Sequence, residues 1–214
     1  MKDIVLLGCG GHAKSVIDVI EQDGNYRIIG FLELSAKQSF SYRGYQVIGD
    51  DSKLQTLFDS GIQYAYPTMG YMGQSDIRNQ IYERLRTIGY CVPNFTDKSA
   101  IIAGDVTMPE NSGIFIGKRA VINSDVRLEE LTIINSGAIV EHDCMINAGT
   151  HVAVGAILCG ETHIGKQCLI GANATIRQGV RIGDNVVVGA GSVVLEDISS
   201  NQTVYGNPAG ESRG

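Results

Sequence analysis

The chain of 214 residues is 43% hydrophobic and 19% charged, and its formal net charge at pH 7 is −6. This length allows one large domain or two small ones, and the acidic balance excludes the dominant basic surface with which proteins bind nucleic acid. No apolar run approaches the roughly 18 residues of a membrane span, and the apolar segment near the N-terminus is too short for a signal peptide. The five cysteines show no paired spacing, which predicts reduced thiols in a cytoplasmic protein and no metal site.

The first 95 residues alternate between strand and helix patterns, which predicts a small Rossmann-like α/β domain with three or four parallel strands. The glycine-rich segment after the first strand and the loop residues between later segments mark where the elements end. We expect strands at 2–8, 27–32 and 62–66, helices from the glycine-rich turn to about 22, at 52–59 and at about 75–87, an extended piece at 91–95, and a surface loop over 35–50.

The turn after the first strand has the spacing of a nucleotide-binding βαβ unit. Gly8, Gly10 and Ala13 fit the G-x-G-x-x-G/A pattern, which gives a tight turn and a helix N-terminus aimed at an anion. Glu33 lies at the end of the second predicted strand, where such folds place a ribose-binding acid, and His12 lies within the turn. From the residues alone, a sugar or sugar-nucleotide site, an NAD site and a turn that only packs tightly all remain open.

The second half of the chain repeats with a period of six. Every sixth residue from Ile116 to Val194 is Ile, Leu or Val, and the residue four positions later is small or β-branched. This period fits neither a helical face nor strand alternation, but it is typical of a parallel β-helix built from hexapeptide repeats, here over residues 96–214. Ile102 and Met108 have their own phase, so we expect a two-residue slip before Ile116 and a turn-rich cap after the last repeat.

An aliphatic tube interior cannot bind a polar substrate, so we expect the chemistry on the outer corners of the repeat. His142 lies between Glu141 and Asp143, and a carboxylate beside an imidazole orients the ring and raises its basicity. The alternative is an exposed histidine with solvated acidic neighbours. We expect His151 to face outward and contact a ligand, or to be a surface residue, and we interpret His163, which has no acidic pair, as a surface residue.

Several segments resemble one family of enzymes. These segments read GCGGHAKSVIDVI, FLE, GIFIGKRAVIN, IINSGAIVEHD, THVAVGA and VYGNPA. Together they resemble the sialic acid O-acetyltransferases and their close relatives, the bacterial UDP-4-amino-sugar N-acetyltransferases, over nearly the whole chain. The resemblance implies a left-handed β-helix and acetyl transfer from acetyl-CoA to a sugar. It also implies a homotrimer with CoA in the groove between neighbouring helices.

The resemblance also implies roles for individual residues. It makes His142 the general base, Asp143 the acid that tunes it, and Asn135 an active-site residue. Backbone N–H groups at a corner are expected to hold the developing oxyanion, and the candidates for the CoA phosphates are Lys166, Arg177, Arg181 and Arg213. The remaining implied residues contact acetyl-CoA (His151, Gly171, Ala172 and Ala190) or the sugar substrate (Gly10, Gly11, His12, Glu33 and Gly70).

The chain departs from the N-acetyltransferases at two places in the expected nucleotide pocket. Glu33-Leu34 replaces a pair of aspartates, and the turn at residues 66–70 replaces an Ala-Ile-Gly turn. We therefore expect acetyl transfer to a hydroxyl of a sialic-acid-like sugar. The alternative is N-acetylation of a nucleotide-activated amino sugar for a surface glycan. A non-catalytic trimeric scaffold and an NAD-dependent enzyme are further alternatives.

Overall fold

The computed structural model describes residues 1–33, 40–71, 73 and 76–211. Leu34, Ser75 and Arg213, on which some of the sequence expectations fall, lie outside these residues. The chain divides into two compact units, residues 1–70 with 76–95 and residues 71–75 with 96–214. No helix in the described part of the chain combines the length and the apolar character that a membrane span requires.

The first unit is a five-stranded sheet with strand order β3-β4-β2-β1-β5, in which β1 pairs parallel with both β2 and β5. The helix α1 buries residues spaced three and four apart, Ala13, Val16, Ile17 and Ile20, and ends at Gly24 in the left-handed conformation. This arrangement confirms the predicted Rossmann-like α/β unit. Its elements are β1 (Lys2–Leu7), α1 (Gly11–Asp23), β2 (Tyr26–Leu32), β3 (Ser41–Tyr42), β4 (Tyr45–Gly49), α2 (Leu54–Asp59), β5 (Tyr64–Pro67) and α3 (Ile77–Ile88).

The prediction of a surface loop over residues 35–50 is wrong from residue 41 onwards. The strands β3 and β4 form an antiparallel hairpin, and β4 continues the sheet by pairing parallel with β2. The two turn residues, Arg43 and Gly44, both have positive φ (51° and 86°), as a two-residue hairpin turn requires. Arginine is not a usual residue for the first turn position, so the pattern of the segment did not indicate a hairpin.

The second unit is the predicted left-handed parallel β-helix with three flat faces. We name each face after one outward residue: the Ile139 face (β7, β9, β12, β15, β18, β21), the His151 face (β8, β11, β14, β17, β20, β22) and the Arg127 face (β10, β13, β16, β19). The strands are β6 (Phe95–Thr96), at the passage from the first unit to the second, β7 (Ile101–Ile102), β8 (Phe115–Ile116), β9 (Val121–Ile122), β10 (Arg127–Leu128), β11 (Ile133–Ile134), β12 (Ile139–Val140), β13 (Met145–Ile146), β14 (His151–Val152), β15 (Ile157–Leu158), β16 (His163–Ile164), β17 (Leu169–Ile170), β18 (Thr175–Ile176), β19 (Arg181–Ile182), β20 (Val187–Val188), β21 (Val193–Val194), β22 (Thr203–Gly206) and β23 (Ala209–Glu211).

The repeated aliphatic residues fill the inside of the tube, as predicted. All fourteen from Ile116 to Val194 are at most 4% exposed, and the small residues four positions later are at most 2% exposed. Ile116 pairs with Ile134, and Ile134 pairs with Val152, so equivalent positions stack three hexads apart. The polar residues among the small positions are hydrogen-bonded, as where Thr150 Oγ1 donates to the Gly165 carbonyl at 2.7 Å. The interior is therefore packing, and the outer surface carries the chemistry.

The two ends of the helix depart from the spacing of three hexads per coil. Ile102 pairs with Ile122, so the first coil is two residues longer than the regular ones, which confirms the expected two-residue slip and places it between β7 and β8. At the other end Val188 pairs with Val204, so the last coil is two residues shorter. The predicted turn-rich cap is an antiparallel hairpin of β22 and β23.

Candidate active site

The residues expected to bind the sugar substrate converge at one edge of the first unit. Because β1, β2 and β5 are parallel, their carboxyl ends lie at the same edge of the sheet, where α/β folds bind ligands. Thr68 N donates to the Leu7 carbonyl at 2.8 Å, and Gly8 N donates to the Leu32 carbonyl, just before Glu33, at 3.0 Å. These bonds tie together the ends of the strands that precede the Gly10–His12 turn, Glu33 and the turn that leads to Gly70.

The glycines of the turn differ in whether packing requires glycine at their position. Gly8 has a φ of 96°, and a Cβ there would lie 3.0 Å from Met69 Cε. Gly10 is the N-cap of α1 and Gly11 its first residue, and a Cβ at either position would meet no atom of the described residues within 4 Å. Packing within the unit therefore does not require glycine at positions 10 and 11, and their bare backbone leaves the helix N-terminus open to an anion.

Glu33 holds the turn in place. Its Oε2 accepts a hydrogen bond from Cys9 N at 2.9 Å and another from Cys9 Sγ at 3.2 Å. The carboxylate expected to bind a ribose thus also fixes the backbone of the glycine-rich turn.

In the second unit, His142 and Asp143 form a hydrogen-bonded pair at the corner between the Ile139 face and the Arg127 face, here called the His142 corner. His142 Nδ1 and Asp143 Oδ2 are 2.7 Å apart, and the imidazole side chain is 49% exposed. Because an ionised carboxylate only accepts hydrogen bonds, Nδ1 carries a proton, and in the neutral imidazole Nε2 therefore keeps its lone pair. Asp143 has a left-handed backbone, with φ 58°.

The surroundings of His142 are acidic. The hydrogen bond with Asp143 is the largest cause that raises the pKa of His142, partial desolvation opposes it, and the charges of Asp143, Glu141 and Glu161 add to the rise. Asn123 Nδ2 donates to Glu141 Oε2 at 2.8 Å, which keeps this second carboxylate in the same corner. The site therefore presents an oriented, half-exposed imidazole whose basicity is raised by the surrounding carboxylates.

Asn135, His151 and Tyr71 form a hydrogen-bonded chain at the corner between the His151 face and the Ile139 face, here called the Asn135 corner. Tyr71 O lies 2.8 Å from His151 Nδ1, and since a carbonyl only accepts, Nδ1 carries the proton. His151 Nε2 then accepts from Asn135 Nδ2 at 3.1 Å. Ser136 N donates to Asn135 Oδ1 at 2.8 Å, which fixes the amide orientation. His151 is thus held as the neutral Nδ1-protonated tautomer.

His151 lies on the outer side of its strand, as expected, but the alternative of an exposed surface residue is wrong. The residue is only 6% exposed, because the chain at Tyr71 covers it. Sequence reasoning missed Tyr71, which contributes a main-chain carbonyl from a segment far earlier in the chain. No side-chain pattern marks such a contact.

Three of the residues expected to contact acetyl-CoA lie together in the Asn135 corner. Gly191 N donates to the Ala172 carbonyl at 2.8 Å, and a Cβ on Gly171 would lie 2.6 Å from Ala190 N. Gly171 and Ala172 thus stack against Ala190 on successive coils, and Gly171 follows Asn135 by two coils. Ala190 is exposed and Ala172 is partly exposed, so a ligand can reach both residues.

The candidate cations do not share that corner. Lys166, Arg177 and Arg181 are all exposed, but Arg181 is an outward residue of the Arg127 face, and Arg177 follows β18 in the His142 corner. Lys166 lies after β16, at the third corner. His163 is an outward, partly exposed residue of the Arg127 face, in agreement with its interpretation as a surface residue.

Two family models match the sequence. The model described as the PglD N-terminal domain matches residues 3–85. The model described as a hexapeptide repeat of succinyl-transferase matches residues 161–196. The two matches fall in the first and the second structural unit, respectively.

Solved structures resemble the chain over its whole length. PerB from Caulobacter crescentus, in complex with CoA and GDP-perosamine, is 29% identical with a TM-score of 0.91, and the match covers 99% of this chain and 98% of PerB. The acetyltransferase domain of PglB from Neisseria gonorrhoeae FA1090 is 30% identical with a TM-score of 0.89, covering 99% of this chain and 100% of that domain. Its complex with acetyl coenzyme A gives 30% identity, a TM-score of 0.86 and 99% coverage of both chains.

These relatives favour one of the two acceptor classes. A GDP-perosamine N-acetyl transferase from Caulobacter crescentus is also 29% identical to this chain, which supports the nucleotide-sugar alternative better than O-acetylation of a sialic-acid-like sugar. The resemblance of the sequence to sugar acetyltransferases is confirmed, as is acetyl-CoA as the donor. With 30% identity to an acetyltransferase domain over nearly its full length, the chain belongs to the hexapeptide-repeat sugar acetyltransferases and is an acetyl-CoA-dependent acetyltransferase.

Proposed function

We propose that the protein N-acetylates a nucleotide-activated amino sugar. The full-length similarity to a GDP-perosamine N-acetyl transferase is the observation that carries this proposal. The open backbone of Gly10 and Gly11 supports it, because a helix N-terminus with bare N–H groups suits the diphosphate of a sugar nucleotide. In this proposal His12, Glu33 and Gly70 line the nucleotide-sugar pocket, and Glu33 also fixes the turn through Cys9.

His142 acts as the general base of the proposed reaction. Acetyl-CoA supplies the thioester carbonyl that the acceptor amine attacks. As the new carbon–nitrogen bond forms and the carbon–sulfur bond breaks, Nε2 of His142 takes the proton from the amine. Asp143, 2.7 Å from Nδ1, stabilises the imidazolium that results. Asn135 contributes by holding His151 in one tautomer, and the donor lies along Gly171, Ala172 and Ala190.

We also propose that the protein is a homotrimer. The outward residues of the Ile139 face, among them Val121, Ile139, Ile157 and Val193, form a partly exposed aliphatic stripe, and such stripes mark protein interfaces. The Asn135 corner and the His142 corner border the two edges of this face. A neighbouring subunit packed there would therefore bring its own His142 corner towards the acetyl-CoA residues of the first. None of the five cysteines, all of which lie in the described part of the chain, forms a disulfide, which suits the predicted cytoplasmic location.

Acceptor specificity tests the proposed function. Thiol release from acetyl-CoA is measured with UDP-, GDP- and dTDP-amino sugars and with free sialic acids at equal concentration. We expect turnover with one of the nucleotide amino sugars and a product whose mass rises by one acetyl group on nitrogen. Turnover with free sialic acids and with none of the nucleotide sugars would instead establish O-acetylation, and binding of the nucleotide sugars without any turnover would indicate a scaffold.

The Asp143→Asn variant tests how the base is tuned. The pKa of His142 is raised chiefly by its hydrogen bond with Asp143, and a base works only when it is unprotonated. Wild-type kcat/KM should therefore fall as the pH drops through this raised pKa. In the variant the fall should move to lower pH, while the high-pH plateau should be lower by about 10–100-fold, a part of the roughly 10²–10⁴-fold that base catalysis contributes. A pH–rate profile checks both, and an unchanged profile would contradict the assigned role of Asp143.

A further inference from the structure

Gly160 lies against the imidazole of His142, one coil later in the same corner. Glu161 N, next to Gly160, donates to the His142 carbonyl at 2.9 Å, so Gly160 stacks on His142 along the helix. Gly179 N donates to the Gly160 carbonyl at 3.0 Å, which continues the same stack on the next coil. A Cβ on Gly160 would lie 2.6 Å from both Cε1 and Nε2 of His142 and 3.2 Å from Cδ2. The three atoms nearest to that position thus all belong to the ring that carries the proposed base.

At other positions of the β-helix, glycine is required by the backbone and not by a neighbouring side chain. A Cβ on Gly165 would lie 2.5 Å from the carbonyl carbon of Gly183, so the close approach of two backbones requires glycine there. Gly179 and Gly191 have positive φ. Gly160 does not belong to the residues with positive φ, and its nearest neighbours are side-chain atoms. Glycine at position 160 therefore clears space for the imidazole.

We propose that Gly160 is a positioning residue for catalysis, whose missing side chain lets the imidazole keep Nδ1 on Asp143 and Nε2 open to the acceptor. The inference rests on the proposed function, in which His142 is the base. A methyl group at position 160 would force the ring to retreat by about 1 Å to reach an ordinary contact distance. The ring can do so without disturbing the fold, because it is half exposed and lies at the end of a side chain.

The Gly160→Ala variant should therefore lose activity without losing stability. A displacement of about 1 Å in a catalytic group can lower the rate by about 100-fold, and we expect a fall of that order in kcat with little change in the KM for acetyl-CoA or in Tm. Two variants calibrate the result. In Gly104→Ala the added Cβ meets no atom within 4 Å, so neither kcat nor Tm should change. In Gly165→Ala the methyl meets backbone, so Tm should fall.

The pH profile separates positioning from a general structural effect. The groups that raise the pKa of His142 are Asp143, first through its hydrogen bond and then through its charge, followed by Glu141 and Glu161. A ring pushed away from Asp143 loses the largest of these influences. The acid limb of kcat/KM in Gly160→Ala should therefore move to lower pH, which a merely structural role would not cause.

Three results would overturn the inference. One is a stably folded Gly160→Ala enzyme with wild-type kcat and an unchanged acid limb. Another is a loss of Tm as large as that of Gly165→Ala, which would mean that the backbone gave way instead of the ring. The third comes from a His142→Ala background, in which Gly160→Ala should cause no further loss of the residual turnover. A further loss there would mean that the methyl blocks the acceptor directly. Failure of the proposed function is distinguishable, because the wild-type enzyme would then turn over no nucleotide amino sugar. Failure of the proposed role of His142 would instead leave wild-type kcat in His142→Ala alone.

Discussion

Replacing His142 with alanine is expected to lower kcat by about 10²–10⁴-fold, the usual contribution of a positioned general base. The imidazole is half exposed, and its hydrogen bond is to the neighbouring residue Asp143, so its loss should leave the fold intact. The KM for acetyl-CoA should change little, because the residues assigned to the donor lie in the Asn135 corner. Thiol release under saturating acetyl-CoA, together with a thermal unfolding curve, measures both expectations.

The matched control for this variant is Gln178→Ala. Gln178 occupies the same corner stack two coils after His142, is exposed, and donates to Glu161 Oε1 at 2.9 Å. Its truncation should leave turnover at the wild-type level. Wild-type turnover in His142→Ala would remove the residue from the mechanism, and equal losses in both variants would point to a disturbed corner instead of a lost base.

A charge in the middle of the Ile139 face should abolish both assembly and activity. Ile157 is an outward residue of β15, between Ile139 and Thr175 in the register, and glutamate there would place an unpaired carboxylate at the centre of the proposed interface. We expect Ile157→Glu to behave as a folded monomer with turnover lower by at least about 100-fold, since the site would lack one of its two corners. Light scattering after gel filtration gives the assembly state, and circular dichroism reports the fold.

The Thr107→Glu variant places the same charge on the Arg127 face, where Thr107 is exposed and forms a bridge with Arg127. It should remain trimeric and active. A fully active Ile157→Glu monomer would show that each chain contains a complete site, and a wild-type chain that is monomeric at working concentration would contradict the proposed trimer.

The β-helix could be predicted from sequence because its three-dimensional contacts repeat at a fixed spacing along the chain. Ile134 pairs with Ile116 and with Val152, so the same residue type must recur at every third hexad, and the hexad pattern displays this directly. The pairing of His142 with Asp143 was predictable for a similar reason, since the two residues are neighbours in the sequence.

The remaining contacts could not be predicted, because they depend on which distant segments lie against a given residue. His151 is buried by the main chain of Tyr71, so its position before an inward valine correctly placed it on the outer side of the strand but incorrectly suggested exposure. The hairpin at residues 41–49 depends on a positive φ at Arg43, a backbone conformation that arginine rarely adopts. Gly160 is one of many glycines in the repeat, and only the atoms near its missing Cβ distinguish it from the others.

The stacking of equivalent residues also constrains how the length of this chain can change. His142 meets Gly160, and Asn135 aligns with Gly171, only because each coil between them has its full complement of residues. The two-residue insertion between β7 and β8 precedes both corners and leaves them in register. Inserting a single residue between Asn135 and Ala190 would shift every later residue by one position in its hexad, so equivalent residues would no longer stack. Inserting three whole hexads would add one complete coil and keep equivalent positions stacked. Insertions and deletions in this part of the chain should therefore be tolerated only in multiples of a whole coil.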